Sequence, residues 1–231
     1  MRQYLTEMED PHNVLEIRNL QTGFFTEKGP LTVVDGVSFD LPAGKTVALV
    51  GESGCGKSVT SLSVMQLLQK PQGKITGGSI RFARKDGAID IAKTPERVMA
   101  KLRGGDLAMI FQEPMTALNP VMKVGRQVME AVKLHHPRGK DSGFCHQKAI
   151  SLLEQVGIAD SRGVYEKYPH QLSCGMRQRV VIAMALAADP RLIIADEPTT
   201  ALDVTTQGQI IELMKQLNEK KVQQFYLYPT I

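Results

Sequence analysis

Apolar and polar residues alternate from Val14 to Leu20 and again from Val33 to Leu41, the period-two signature of strands in a half-exposed sheet. Thr46 to Val50 is a short apolar run that leads straight into a glycine-rich loop. From Lys57 to Gln69 the period changes. Val59, Leu62, Met65 and Leu68 fall at helical spacing, and Pro71 with Gly73, Gly77 and Gly78 marks the end of that helix. Ser79 to Ile91 reads as a hairpin around Asp86-Gly87, Leu107 to Phe111 as a second buried strand, and Gln112-Glu113-Pro114 as the loop after it.

Between Val124 and Tyr168 the texture becomes helical. Amphipathic segments near Val124–Leu134 and His146–Val156 flank a polar stretch at Pro137–Gly143, which predicts a helical insertion rather than a separate domain. Gly175 to Ala188 is strongly helical; Pro190, an apolar strand and a last helix from Val204 to Asn218 follow. Internal repeats and low-complexity tracts are absent. Alternating strand, loop and helix imply a mainly parallel α/β core.

Composition narrows the class. The chain has 231 residues, 42% of them hydrophobic, enough to bury the core of one domain with a subdomain. A net charge of +4, spread without basic runs, gives no reason to expect nucleic acid as a partner. Cys55, Cys145 and Cys174 show no C-x-x-C spacing, which argues against a disulfide framework or zinc site and fits a reducing compartment. Met1 to Asp10 is acidic and lacks an apolar stretch, so no signal peptide is expected. The longest apolar run, Val180–Ala188, is far short of the ~20 residues that span a bilayer. A soluble chain able to dock on a membrane protein is the expectation.

Two motifs carry the chemistry. Gly51-Glu52-Ser53-Gly54-Cys55-Gly56-Lys57-Ser58 is a phosphate-binding loop of the G-x-x-x-x-G-K-[ST] type, with strand before it and helix after. Gly51, Gly54 and Gly56 let the backbone turn and aim N–H groups at phosphates, and the helix that follows adds a dipole favourable to anions. Lys57 can reach the β- and γ-phosphates, and the Ser58 hydroxyl can ligate magnesium. The nucleotide-binding set is Gly51, Ser53, Gly54, Cys55, Gly56, Lys57, Ser58 and Val59. Far downstream, Leu192-Ile193-Ile194-Ala195 delivers Asp196 and Glu197. Asp196 is suited to hold magnesium through water, and Glu197 to orient or deprotonate an attacking water. Together these motifs point to a nucleoside triphosphate with Mg2+.

Between them, Leu172-Ser173-Cys174-Gly175-Met176-Arg177-Gln178-Arg179 opens the long helix, where Ser173 is a helix cap or part of an anion site with free N–H groups. In this order the set resembles the ATP-binding subunit of ABC transporters, whose signature loop reads Leu-Ser-Gly-Gly at that place. Gln112 is similar to that family's Q-loop glutamine, which implies a catalytic and metal-side role, and Ala201-Leu202-Asp203 to its D-loop. The pair Phe24-Phe25 would supply a ring for adenine or simply pack in the core. Gly51–Ser61, Ile110–Pro120, Tyr168–Leu172 and Ala195–Val204 further resemble the peptide/nickel importer branch, glutathione and dipeptide importers included.

The resemblance implies a P-loop NTPase core of the ABC type, with an antiparallel β subdomain and a helical subdomain inserted at about residues 113–175 of a single domain. It implies ATP hydrolysis that drives import of peptides or a related small solute. Its partners would be membrane permease subunits, a second ATP-binding subunit and, indirectly, a solute-binding protein, at the cytoplasmic face of the inner membrane. Ser173 and Gly175 would then serve the partner's ATP. Two departures stand out. Cys174 replaces a glycine of the signature loop, adding a side chain where phosphate must approach. After Asn218 the sequence no longer resembles the family and brings no histidine later than His170, where the family has a switch-loop histidine. The ending therefore reads as a carboxy-terminal truncation, with Val222–Leu227 able to add a strand and an unpaired sheet edge as a hazard. An ATP-binding but hydrolysis-deficient, or a non-functional truncated, ABC subunit is the alternative.

Overall fold

The computed structural model describes the backbone of residues 3–200, 202–219 and 223–229, and among these all side chains except Pro114, Met115, Glu219 and 223–229. In chain order the strands are β1 (Leu5–Thr6), β2 (Asn13–Thr26), β3 (Gly29–Pro42), β4 (Thr46–Gly51), β5 (Gly73–Arg84), β6 (Gly87–Asp90), β7 (Leu107–Ile110), β8 (Leu192–Asp196) and β9 (Gln223–Pro229). The helices are α1 (Lys57–Val64), α2 (Glu96–Leu102), α3 (Pro114–Ala117), α4 (Val124–His135), α5 (Ser142–Gln155), α6 (Ser161–Glu166), α7 (Cys174–Ala185) and α8 (Val204–Glu219). They fall into two compact units, Met1–Arg103 with Gln223–Ile231, and Gly104–Val222.

The first unit is built on an antiparallel sheet ordered β1-β6-β5-β2-β3. β2 and β5 bury Leu15, Ile17, Leu20, Ile80 and Phe82, but β2 is covered on both faces over residues 13–17 rather than half-exposed, with Val14 and Glu16 buried as well. The hairpin at Asp86 forms as its turn residues require, with Arg84 opposite Gly87. Helix α1 is fastened to β2 by the buried Thr22–Ser63 hydroxyl pair at 2.9 Å. β4 pairs in parallel with β9, Val47 opposite Phe225 and Leu49 opposite Leu227, so the stretch expected to add a strand does so. Residues 220–222 and 230–231 of that ending lie outside the described residues.

α1 is shorter than its apolar period predicts. It stops at Val64, because Gln66 takes a left-handed backbone (φ 49°). The Gln66 amide donates to the carbonyls of Ile91 and Thr94, while Arg103 Nε and Nη2 donate to the carbonyls of Met65 (2.8 Å) and Gln66 (3.1 Å). Tertiary hydrogen bonds thus satisfy the end of the helix better than another turn would.

The second unit has a parallel pair, β7 and β8, with Leu107 opposite Leu192 and Ile110 opposite Ala195. Both strands are apolar up to the Asp196 that ends β8, as strands covered on both faces are. Helices α4, α5, α6 and α7 pack on one another, and α7 also packs on β7 and α8. Their starts are written in the sequence: Asp141 caps α5 by accepting from Phe144 N (2.9 Å), and Asp160 caps α6 by accepting from Gly163 N (2.9 Å). α5 accordingly begins four residues before the expected His146. Pro114, expected in a loop, opens the one-turn helix α3, a position proline tolerates because it lacks an N–H. The Tyr165 ring lies so close over Gly125 that a Cβ there would sit 2.0 Å from it.

Candidate nucleotide site

The phosphate loop belongs to the first unit. Ser53, Gly54 and Cys55 are exposed, Gly51, Ser58 and Val59 half-buried, and Gly56 and Lys57 buried. Gly56 caps α1 in a left-handed conformation (φ 93°), and a Cβ there would meet the carbonyl oxygen of Val33 at 2.9 Å. No other residue fits both requirements. The Lys57 ammonium donates to the carbonyls of Gly51 (2.6 Å) and Glu52 (2.7 Å) and lies 3.9 Å from Cys55 Sγ. The lysine therefore sits inside the curl of its own loop, braced by backbone oxygens. In the neighbouring hairpin Phe24 lies against Gly73 and Phe25 is 47% exposed, with Lys74 Nζ 5.2 Å from its ring centroid.

The acids belong to the second unit. Since Ile110 stands opposite Ala195 in the parallel pair, the residues two further on, Gln112 and Glu197, leave their strands side by side. Gln112 Nε2 donates to Glu197 Oε2 at 2.8 Å. Asp196 ends β8 and is 7% exposed; Glu197 turns the chain with φ 45°. Ser173 caps α7, its Oγ accepting from Met176 N at 3.3 Å, with Cys174 and Gly175 half-buried in the first turn. A Cβ on Gly175 would fall 2.6 Å from the Thr206 methyl of α8. Thr206 cannot easily yield, because its N–H and hydroxyl are bonded to Asp203 Oδ1 (3.0 Å) and Oδ2 (2.7 Å). The same bonds hold the Asp203 carboxyl below its ordinary range, the backbone N–H of Thr206 first. Ala201 lies outside the described residues; Leu202 is buried and Asp203 caps α8.

Among the described residues no group of three His, Cys, Asp or Glu could enclose a metal ion. The available donors are hard oxygens, which suits Mg2+ held through few protein ligands, water and phosphate rather than an all-protein cage. Three hydrogen bonds escaped sequence reasoning. Thr200 Oγ1 donates to Glu197 Oε2 (3.2 Å), and Gln207 Nε2 donates to the carbonyls of Thr199 (3.1 Å) and Leu202 (3.0 Å). Only the three-residue spacing from Glu197 to Thr200, across a turn begun by Pro198, hinted at the first.

The family model for ABC transporters matches residues 34–200. The chain belongs to the ABC transporter family. Among curated relatives it is 51% identical over 207 residues to the oligopeptide transport ATP-binding protein AppD of Bacillus subtilis, covering 90% of this chain and 61% of that one. It is 50% identical to the dipeptide transport ATP-binding protein DppD of the same organism (90% and 60%) and to the glutathione import ATP-binding protein GsiA of Pectobacterium atrosepticum (90% and 33%). The chain thus spans at most about 60% of the length of these relatives. Among solved structures it matches the dimeric MJ0796, a bacterial ABC transporter cassette, with a TM-score of 0.78 at 26% identity over 92% of this chain and 87% of that one. cbiO1 of Clostridium perfringens follows with a TM-score of 0.75 at 23% identity, over 95% and 79%. The fold is the P-loop ABC ATPase fold, with its antiparallel β and helical subdomains. No described helix is long and apolar enough to cross a membrane.

Proposed function

We propose that this chain is an ATP-binding and hydrolysing subunit that energises import of peptides or a related small solute through a membrane permease. The observation that carries hydrolysis is the Gln112–Glu197 hydrogen bond beside Asp196, produced by the β7–β8 register. Resemblance to oligopeptide, dipeptide and glutathione transport proteins supports the solute class. Gly51, Ser53, Gly54, Cys55, Gly56, Lys57, Ser58 and Val59 bind the phosphates. Ser58, Gln112 and Asp196 serve Mg2+, which when bound neutralises phosphate charge. Glu197 orients the attacking water, and Gln112 assists. Phe25, the exposed ring of its pair, offers a face to the base. Ser173 and the Gly175 N–H serve the ATP of a second ATP-binding subunit, and the assembly works peripherally on the cytoplasmic face of the inner membrane, without nucleic acid.

The test is unfolding of the purified chain against rising Mg-ATP, followed by turnover. A ligand that binds only the native state raises its apparent stability with concentration. An ATP-dependent rise abolished by Lys57→Ala, with turnover abolished by Glu197→Gln, is expected; a cooperative transition indifferent to ATP would sink the proposal. Cys174, whose side chain occupies the first turn of α7, favours a second reading, an ATP-binding subunit that hardly turns over. Turnover that appears only in Cys174→Gly would establish it.

A further inference from the structure

Glu197 occupies a left-handed backbone conformation that a side-chain-bearing residue rarely adopts, so the surrounding contacts must specify it. Two donors meet on one oxygen: Gln112 Nε2 at 2.8 Å and Thr200 Oγ1 at 3.2 Å, both on Oε2. They differ in what holds them. Gln112 is exposed and arrives from the loop after β7, whereas Thr200 lies on the same turn as Glu197, its own N–H bonded to the Glu197 carbonyl at 3.3 Å. That turn is anchored in α8, where Gln207 donates to the carbonyls of Thr199 and Leu202. The Gln207 N–H in turn bonds the Asp203 carbonyl at 2.9 Å.

We propose that Thr200 is a positioning residue: its hydroxyl holds the Glu197 carboxylate in its orientation independently of Gln112, with Gln207 keeping Thr200 in place. This deepens the reading of Glu197 as the group that orients water. Water attacks the γ-phosphorus, its proton passes toward Glu197, and the bond to the β-phosphate oxygen breaks to release ADP and phosphate. A carboxylate free to swing with the Gln112 loop would meet that water in fewer of its orientations. The amide of Gln112 is then available to answer to nucleotide and metal without releasing Glu197.

Thr200→Val removes the hydroxyl and keeps the branched shape; Thr200→Ser keeps the hydroxyl. Both go into the full chain, with unfolding transitions as the folding control. In Thr200→Val kcat should fall about tenfold while KM and the Kd for Mg-ATP stay within about twofold, and Thr200→Ser should restore kcat. A second readout needs no nucleotide. The Glu197 side-chain carbonyl carbon, labelled with 13C, should shift in ATP-free Thr200→Val and return in Thr200→Ser. Wild-type kcat with an unmoved carbon signal would overturn the proposal, as would a Kd that weakens in step with kcat/KM. If even the wild type does not turn over, the hydrolytic reading fails, and the carbon signal alone decides whether Thr200 holds Glu197.

Discussion

Gly56→Ala tests whether the phosphate loop is shaped by backbone strain, by close packing, or by both. Gly56 has φ 93°, where an L side chain costs about 1–2 kcal/mol. The new methyl would also stand 2.9 Å from the Val33 carbonyl oxygen and 3.4 Å from a Val34 methyl. The first contact is with backbone of β3, which cannot rotate away as a side chain can, so relief requires movement of the strand or the loop. Overpacking of that kind costs about 1–3 kcal/mol, so the total should be about 2–5 kcal/mol. Gly54→Ala is the internal control. It shares the left-handed backbone (φ 84°) but has nothing within 4 Å of the new carbon, so only the strain of about 1–2 kcal/mol should appear. Urea unfolding of both variants without nucleotide separates the two costs, since the difference between them isolates the clash. Equal losses would refute the packing half of the reasoning, and a neutral Gly56→Ala would refute both halves.

Arg103→Met should destabilise the chain by about 1–3 kcal/mol in urea unfolding, because the carbonyls of Met65 and Gln66 at the end of α1 lose their donors. It should also change the acid limb of stability. Arg103, with Lys70 second, holds Glu96 near a pKa of about 2, below its ordinary 4.5. That contribution is present above about pH 4.5 and is lost as pH falls toward 2, so the variant should show a shallower loss over this window. Gly175→Ala should lower stability and, if Gly175 serves a partner's ATP, weaken ATP-driven dimerisation measured by sedimentation. Relief by Thr206→Ser, which removes the methyl that the new Cβ would meet at 2.6 Å, is the discriminating result.

Much of the fold was legible because local rules and tertiary context agreed. Strands β2, β3, β7 and β8 form where their apolar patterns place them, and Asp141, Asp160, Ser173 and Asp203 stand where capped helices start. Disagreement came where distant groups competed with the local pattern. The apolar spacing of Val59, Leu62, Met65 and Leu68 extends past Val64, yet Arg103 and the Gln66 side chain draw the chain out of the helix. The short α6 went unseen because its six residues carry too little periodicity to register.

The amino-acid sequence by itself determined the glycine-rich loop before α1, the acid-tipped strand β8 and the Ser173-capped helix α7, since each is a contiguous run whose backbone needs are local. It could not say that Gln112 meets Glu197, because they are brought abreast by the register of two strands separated by the whole helical insertion. Nor could it say that the Thr206 methyl stands 2.6 Å from where a Cβ on Gly175 would fall, or that Gln207 donates to the carbonyls of Thr199 and Leu202. Those pairings depend on how helices and strands pack. A side chain's partners across space follow from strand register and helix packing, which no local stretch of residues specifies alone.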